Sequence, residues 1–421
     1  MIKKFHCQGF RNVNCDVELS KINILIGANN AGKSNFIRAL TFAANMVSNS
    51  PTEATGFFSE LKRNGWSSVT NRRVTSPSFK LVWDLDLSDI QPDIQPVKYT
   101  LSANVGKRRE DDYIKEESLD SAEMRQGYNK PYNYFTCHTE KLGIGNFSTA
   151  GIKSTPNKRI NTKVDRHESV LLQMDKLFFE SKKLFSLPFV RDDIREVLDL
   201  MRGYFREFYS YSCTTFNLPA IRDLQDEQAE GAYLKKDASN FVNVFNYISE
   251  RDNNFKSRYI EALNRLSNQC DDIRINSIGG KTWMEIKMDK IYFPLSELSD
   301  GTIHLLLLLL LLNVPKNFGI SMLAIDEPEM NLHPAWQKLL AHEIINGESF
   351  KQCFISTHSP DFLDEFTKDF LDGKIGVFVF DISSKVPIRK LDLEEIRSEL
   401  KDWTLGDLYR VGDPLIGGWP Q

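Results

Sequence analysis

An α/β fold is what this sequence predicts, with a strand, a glycine-containing loop and a helix near its start and two later buried strands that end in polar residues. Three stretches carry the prediction. In residues 21–35, KINILIGANNAGKSN, the β-branched Ile22, Ile24 and Ile26 precede Gly27–Ser34, which match GxxxxGKS, and the following NFIRALTFAANMV has the apolar spacing of a helix. Far along the chain, in ISMLAIDEPEMNLHPAW, an apolar run through Ile325 ends in two adjacent carboxylates, Asp326 and Glu327. CFISTHSP repeats the pattern, with a strand over Cys353–Ser356 and His358 at its end.

Composition sets the bounds. With 421 residues, 41% of them hydrophobic and 26% charged, the chain can bury a substantial core and form two domain-sized units. Lys+Arg number 53 against 57 Asp+Glu, a net charge of −4, so no global field draws it to nucleic acid or an anionic membrane. The start, MIKKFHCQGF, lacks an apolar core and a small-residue cleavage site, so no signal peptide is expected. Cys7, Cys15, Cys137, Cys213, Cys270 and Cys353 are scattered without a CxxC pair, which fits reduced thiols in a cytoplasm. The apolar run Ile303–Val314, with eight leucines at Leu305–Leu312, is shorter than the roughly 20 residues of a spanning helix. It also carries His304 and Asn313, and is expected to be a buried helix with no membrane partner.

The residue types suit nucleotide chemistry. Glycines let backbone N–H groups wrap phosphates, so Gly27, Asn29, Asn30, Ala31, Gly32, Lys33, Ser34 and Asn35 are the candidate binding loop. Lys33 meets the β- and γ-phosphate charge, and Ser34 offers a hydroxyl to Mg²⁺. Asp326 would hold Mg²⁺ through its water shell, while Glu327 would polarise the attacking water. His358, trailing the next strand, is within reach of the γ-phosphate or that water.

GANNAGKS, LSDGT, AIDEPEMNLHP and ISTHSP, in that order, resemble the ABC-type ATPases of the OLD and RecF-like group, relatives of SMC heads. The resemblance covers residues 1 to about 45 and about 215 to 380, roughly half the chain. It implies an ABC-type P-loop ATPase head, a mixed sheet around the Walker A helix with an antiparallel β-meander, an inserted helical and loop arm, and a helical signature lobe. Ser299, Asp300 and Gly301 would then be the signature motif, which meets ATP bound to a partner subunit. Ser299 and the first N–H groups of the leucine helix would form an anion site there. The implied assembly is a homodimer or higher homo-oligomer in which two heads sandwich ATP and Mg²⁺, with Glu327 as general base, His358 as γ-phosphate sensor and Lys33 on the phosphates. The family's glutamine loop is not assigned, since only Gln91 and Gln95 are nearby, and His304 after the signature is read as neutral.

The remaining segments divide the chain into an N-terminal head lobe at 1–105, an insertion at 106–210 and a C-terminal head lobe at 211–421. FKLVWDLDLS (79–88) and VKYTLSANV (97–105) alternate as meander strands. Between about 106 and 165 the sequence is polar and charged and reads as an insertion with loops. Its basic residues Lys107, Arg108, Arg109, Lys158, Arg159 and Lys163 are either solvated or contacts to a phosphate backbone or partner. Helical spacing from His167 to Phe208 predicts a two-helix arm, too short and irregular for a long coiled coil. YSCTTFNLPAIRD is expected to return as a strand, with Arg222 facing the nucleotide or dimer interface, or else in a structural salt bridge. Helices near 238–249 and 254–268 and strands near 272–278 and 282–288 lead to the signature. After His358, GVFVFDIS supplies a strand with Asp381 but no DxD, so no nuclease is expected. The tail, with Trp403, Tyr409 and Trp419 among glycines, predicts a closing helix and turn that packs on the head or presents a partner surface.

Three functions stay open. By resemblance to the ATPases of bacterial antiphage systems such as Septu, PARIS and retron-associated sets, ATP-dependent head dimerisation controls a separately encoded nuclease or toxin. Alternatively the chain is a stand-alone RecF-like repair ATPase that clamps DNA, or an ATP-bound oligomeric scaffold with little turnover. The missing coiled coil, mild acidity and absence of an effector domain favour the first.

Overall fold

The computed structural model describes residues 1–47, 69–70, 78–105, 112–124, 129–138, 143–148, 159–180, 194–227, 231, 233–267, 270–381, 384 and 386–417. Lys107, Arg108, Arg109, Lys158 and Trp419 lie outside the described residues. The chain forms two compact units. Unit 1 comprises 1–20, 30–208 and 379–390; unit 2 comprises 21–29, 209–378 and 391–421.

In chain order the first strands are β1 (Ile2–Phe10), β2 (Val13–Glu18), β3 (Ile22–Gly27), β4 (Ser78–Leu85), β5 (Val97–Asn104), β6 (Tyr113–Met124), β7 (Pro131–His138), β8 (Ile144–Ser148) and β9 (Arg159–Lys163). All but β3 build unit 1, as an eight-stranded antiparallel sheet ordered β2-β1-β4-β5-β6-β7-β8-β9. The meander strands appear as expected. Residues 113–163, expected to be loops, instead add strands β6 to β9 to the same sheet. The polar residues that suggested loops lie on its open side: along Tyr113–Met124, Glu116 and Asp120 are partly exposed while Ile114, Glu117 and Leu119 are buried. Arg159 is committed within the sheet, donating to the Asn133 side chain at 2.6 Å and the Asn146 carbonyl at 3.0 Å.

Helices α1 (Lys33–Val47), α2 (Val170–Glu180) and α3 (Ile194–Arg206) cover the other side. The last two fall in the segment read as a two-helix arm, and α3 lies against α1 and buries Ile194, Val197, Leu198, Met201, Tyr204 and Phe205. Trp83 stacks on Tyr99 at 5.5 Å and meets Phe205 edge-on at 5.9 Å. Phe36 of α1 stands edge-on to Phe5 and to Phe380, each at 5.7 Å. Burying each such ring stabilises by about 1.5–3 kcal/mol, so the first turn of α1 is held firmly to the sheet.

The later strands are β10 (Phe208–Ser212), β11 (Gln225–Asp226), β12 (Asp272–Ile278), β13 (Lys281–Met288), β14 (Ile291–Pro294), β15 (Ile320–Asp326), β16 (Phe350–Ser356), β17 (Ile375–Phe380) and β18 (Ile388–Lys390). In unit 2, β10, β15, β16, β3 and β17 lie side by side in that order. Strands β15, β16 and β3 are parallel, with Asp326 opposite Ser356 and Ser356 opposite Leu25. All three are buried along almost their whole length, as a parallel sheet covered on both faces requires.

The helices of unit 2 are α4 (Leu218–Arg222), α5 (Phe241–Arg251), α6 (Phe255–Ser267), α7 (Asp300–Asn313), α8 (Pro334–Ile345), α9 (Pro360–Asp364), α10 (Thr367–Leu371), α11 (Leu393–Ile396) and α12 (Leu405–Val411). The segment expected to return as one strand, residues 211–223, is strand only at Tyr211 and Ser212, the end of β10. Asn217 then caps Ala220 N–H and Pro219 sits in the first turn of α4, a place that suits proline. The leucine helix α7 is buried on every side from Ile303 to Leu312. Tyr259 of α6 donates to the Leu306 carbonyl at 2.5 Å. Among the described residues no helix is long and apolar enough to cross a membrane. All six cysteines are free and buried.

Candidate functional site

In unit 1 the chain enters through the second half of the phosphate loop. Asn30 has φ +64° and Gly32 φ +111°, and Lys33 opens α1 with only 6% of its surface exposed. Phe36 N–H donates to the Gly32 carbonyl at 2.8 Å, closing the first helical turn. The β1–β2 turn supports this corner: Asn35 donates to the Asn12 side chain at 2.7 Å and accepts from Arg11 at 3.1 Å. Arg11 and Asn12 were not singled out in the sequence, where nothing marks a short polar turn as a support. Asn30, Ala31, Gly32, Lys33, Ser34 and Asn35 are the unit 1 members of the expected site.

In unit 2 the expected residues gather at the carboxyl ends of parallel strands, the usual location of ligand sites in such sheets. Gly27 ends β3 with φ +143°, open to glycine and to few other residues. Asp326 ends β15, and its carboxylate accepts a hydrogen bond from the Ser356 hydroxyl on β16. Glu327 follows with φ +58°, a conformation that costs an L-residue about 1–2 kcal/mol. Its N–H donates to the Ser356 carbonyl at 3.0 Å, which holds the turn in place. From there the Glu327 carboxylate reaches His358, Oε1 to Nε2 at 3.2 Å. The acid pair and the histidine expected from separate motifs are thus one cluster.

A third carboxylate completes it. Glu329 is 8% exposed, and its Oε1 accepts from the Thr357 hydroxyl at 2.7 Å and from His358 N–H at 3.2 Å. Burial pushes its carboxyl pKa up, and the hydrogen bonds from Thr357 and His358 oppose that rise. Glu329 Oε2 and His358 Nδ1 are both enclosed without a hydrogen-bond partner among the described residues. Buried polar atoms of this kind are uncommon in folded proteins and mark a place where a further group belongs. The sequence showed Glu329 only as part of a motif, because a third acid in a polar turn looks solvated. Burial also raises the Cys213 thiol, with added repulsion from Glu329, Asp326 and Glu327, so this cysteine is an inert core residue.

The residues expected to be the signature, Ser299, Asp300 and Gly301, form the start of α7. Ser299 is its N-cap, accepting from Thr302 N–H at 3.2 Å. Asp300 pairs with Arg222 at 2.6 Å, and Arg222 also donates to the Leu298 carbonyl at 2.9 Å. Of the two roles open for Arg222, the structure contains the salt bridge. Gly301 is packed so closely that an added Cβ would stand 2.6 Å from the carbonyl oxygen of Asn331, in the turn after Glu327. Glycine at 301 thus lets the start of α7 rest directly on the acidic turn. His304, a departure from the usual Arg or Leu of the resembled family and given no functional weight, is a buried core histidine, its Nδ1 2.9 Å from the Asp300 carbonyl.

Taken unit by unit, the donor types suit a phosphate group and a metal ion. The loop's positive-φ residues suit close backbone approach to phosphate, and the Ser34 hydroxyl and Asp326 carboxylate are the hard oxygen ligands Mg²⁺ takes.

A phosphate loop after a buried parallel strand, carboxylates ending a second strand, a histidine ending a third and a large antiparallel sheet define a P-loop ATPase fold like that of SMC heads. A crystal structure titled as the SmcHead bound to the C-winged helix domain of ScpA shares that fold, with TM-score 0.50, 14% identity, and coverage of 94% of this chain and 99% of that one. An Smc head with an extended coiled coil, bound to the C-terminal domain of ScpA derived from Pyrococcus furiosus, aligns with TM-score 0.47 and 15% identity over 95% and 98% of the two chains. More particularly, the chain belongs to the AAA_21 family, described as "AAA domain, putative AbiEii toxin, Type IV TA system", which matches residues 22–364. No curated protein matches it in sequence.

Proposed function

We propose that the chain hydrolyses ATP as one half of a head-to-head pair, and that this cycle controls a separately encoded nuclease or toxin. The observation that carries the reading is the 3.2 Å contact between His358 Nε2 and Glu327 Oε1, with Asp326 beside them at the strand ends. Backbone strain at Glu327 supports it, since strain is retained where the surrounding structure uses it.

In this mechanism Gly27, Asn29, Asn30, Ala31, Gly32 and Asn35 shape the loop around the phosphates, and Lys33 offsets their charge. Ser34 and Asp326 would hold Mg²⁺, which would supply positive charge to offset that of the phosphate oxygens. Glu327 takes a proton from a water molecule as its oxygen bonds to the γ-phosphorus. The bond from that phosphorus to the bridging oxygen of ADP breaks, releasing ADP and phosphate. His358 orients Glu327 and meets the γ-phosphate. Ser299, Asp300 and Gly301 of a second copy close over the same phosphate through the start of α7. ATP then binds the two heads together, and loss of the γ-phosphate removes the bridge.

The family's description, which names a putative toxin and a type IV toxin–antitoxin system, supports a place in a system of that kind, and the separate encoding of the effector is proposed beyond it. DNA clamping gains less support. The hollow of about 280 Å³ on the open sheet face carries Lys4, Lys80 and Lys98, but Asp16 and Asp84 share it, and Lys4 pairs with Asp16 at 3.1 Å.

Glu327→Gln tests the mechanism. It should bind ATP, stop turnover and trap a dimer in light scattering, and normal turnover removes Glu327 from the role. Ser299→Arg should bind ATP as a monomer without hydrolysing it. Normal hydrolysis by that variant rules out a signature acting from the second copy.

A further inference from the structure

The C-terminal helix α12 is not used by the mechanism above, yet it reaches the phosphate loop. Tyr409 is 1% exposed, and its hydroxyl donates to the Gly27 carbonyl at 3.1 Å, across nearly the whole sequence. Burial raises the phenol pKa, so the hydroxyl keeps its proton and acts as donor. Gly27 is the first residue of the loop, where the chain leaves β3 with φ +143°. Because a peptide group is planar, fixing this carbonyl fixes the whole Gly27–Ala28 peptide plane and the direction in which the loop departs.

The helix that carries Tyr409 is itself held rigidly. Thr404 and Asp407 form a capping box at its start, and Gly412 ends it with φ +70°. It is fastened to α9, the helix that begins directly after His358 with Ser359 as its cap. Thr404 donates to Asp364, Arg410 bonds both Asp361 and Asp364, and Leu405 N–H donates to Thr367 at 3.0 Å. Gly406 lies against the Pro360 carbonyl and the Asp364 carboxylate, each 2.2 Å from where a Cβ would stand. One end of this brace is therefore the helix behind His358 and the other is the first peptide of the phosphate loop.

We infer that Tyr409 is a positioning residue for nucleotide binding, its hydroxyl holding the opening peptide of the phosphate loop in register with the helix that follows His358. The inference rests on the ATPase reading above. Its consequence is that a change at the C-terminal helix alters nucleotide affinity without touching any group that contacts nucleotide.

Tyr409→Phe removes one oxygen atom and leaves the packing. In the full chain, the Kd and KM for Mg-ATP should rise about 5- to 10-fold, as expected for one lost buried hydrogen bond. Turnover at saturation should stay within about twofold, and the melting temperature without nucleotide within about 2 °C. Arg410→Ala, which leaves the hydroxyl but loosens the brace from α9, should raise KM by a smaller factor. An affinity unchanged within twofold in Tyr409→Phe overturns the inference, as does a fall of many degrees in melting temperature without nucleotide, which would make the bond one of folding. An unaltered chain that binds no ATP would refute the ATPase reading itself, and this inference with it.

Discussion

Glu329 separates two roles that a buried carboxylate can have, as an acceptor and as a charge. Its Oε1 satisfies the Thr357 hydroxyl and His358 N–H, whereas Oε2 has no partner among the described residues. Glu329→Ala strands both donors, and a buried donor without an acceptor costs about 1–3 kcal/mol. The loss should therefore total roughly 2–6 kcal/mol, reduced by whatever the buried charge was costing. Since one stranded donor is the backbone of His358, turnover should fall about 10- to 100-fold, the equivalent of 1.4–2.7 kcal/mol in the barrier. Glu329→Gln keeps an oxygen for both donors and removes the charge, so its turnover should stay within about threefold.

The pH dependence follows from the raised carboxyl pKa. A carboxyl whose folded pKa lies above the unfolded value, 4.5, adds stability that is complete below 4.5 and is lost as pH rises through the folded pKa. The Gln variant lacks that loss, so urea melts at pH 5 and pH 8 should show it gaining on the unaltered protein at the higher pH. Equal damage from Ala and Gln at pH 8, or normal turnover in the Ala variant, would refute the acceptor role.

Two further outcomes can be checked directly. Gly301→Ala places a methyl group 2.6 Å from the Asn331 carbonyl oxygen, so backbone must move, at a cost of about 1–3 kcal/mol; turnover should drop while ATP still binds, and full activity would contradict the tight contact. Glu117, buried under the start of α2, accepts from Tyr99 at 2.8 Å and from Val170 N–H at 2.9 Å, and burial pushes its pKa up from 4.5 to about 7. The unaltered protein should thus lose up to about 3 kcal/mol of stability between pH 4.5 and 7 that Glu117→Gln does not lose, and parallel stability profiles in urea melts would sink the assignment.

Much of the fold could be read from short-range pattern. The strand–loop–helix at 22–47, the meander strands and the buried leucine helix all follow from spacing within a few residues of chain, because side-chain period and turn chemistry are local properties. Strands β6 to β9 could not be read this way. One side of that sheet is open, so the polar residues that make a strand soluble there are the same ones that make a loop soluble.

The site divides along the same line. Lys33, Ser34, Asp326, Glu327 and His358 stand out as candidates because phosphate and metal chemistry suits particular residue types at particular local spacing, whereas the Ser299–Gly301 turn is a candidate through the family resemblance alone. The residues that support them do not stand out. Asn12 beneath Asn35, Glu329 beneath His358, Asn331 against Gly301 and Tyr409 on Gly27 are joined by single contacts between segments distant in the chain. A hydrogen bond depends on where two atoms lie to within a fraction of an ångström, and only packing of the whole chain brings such atoms together.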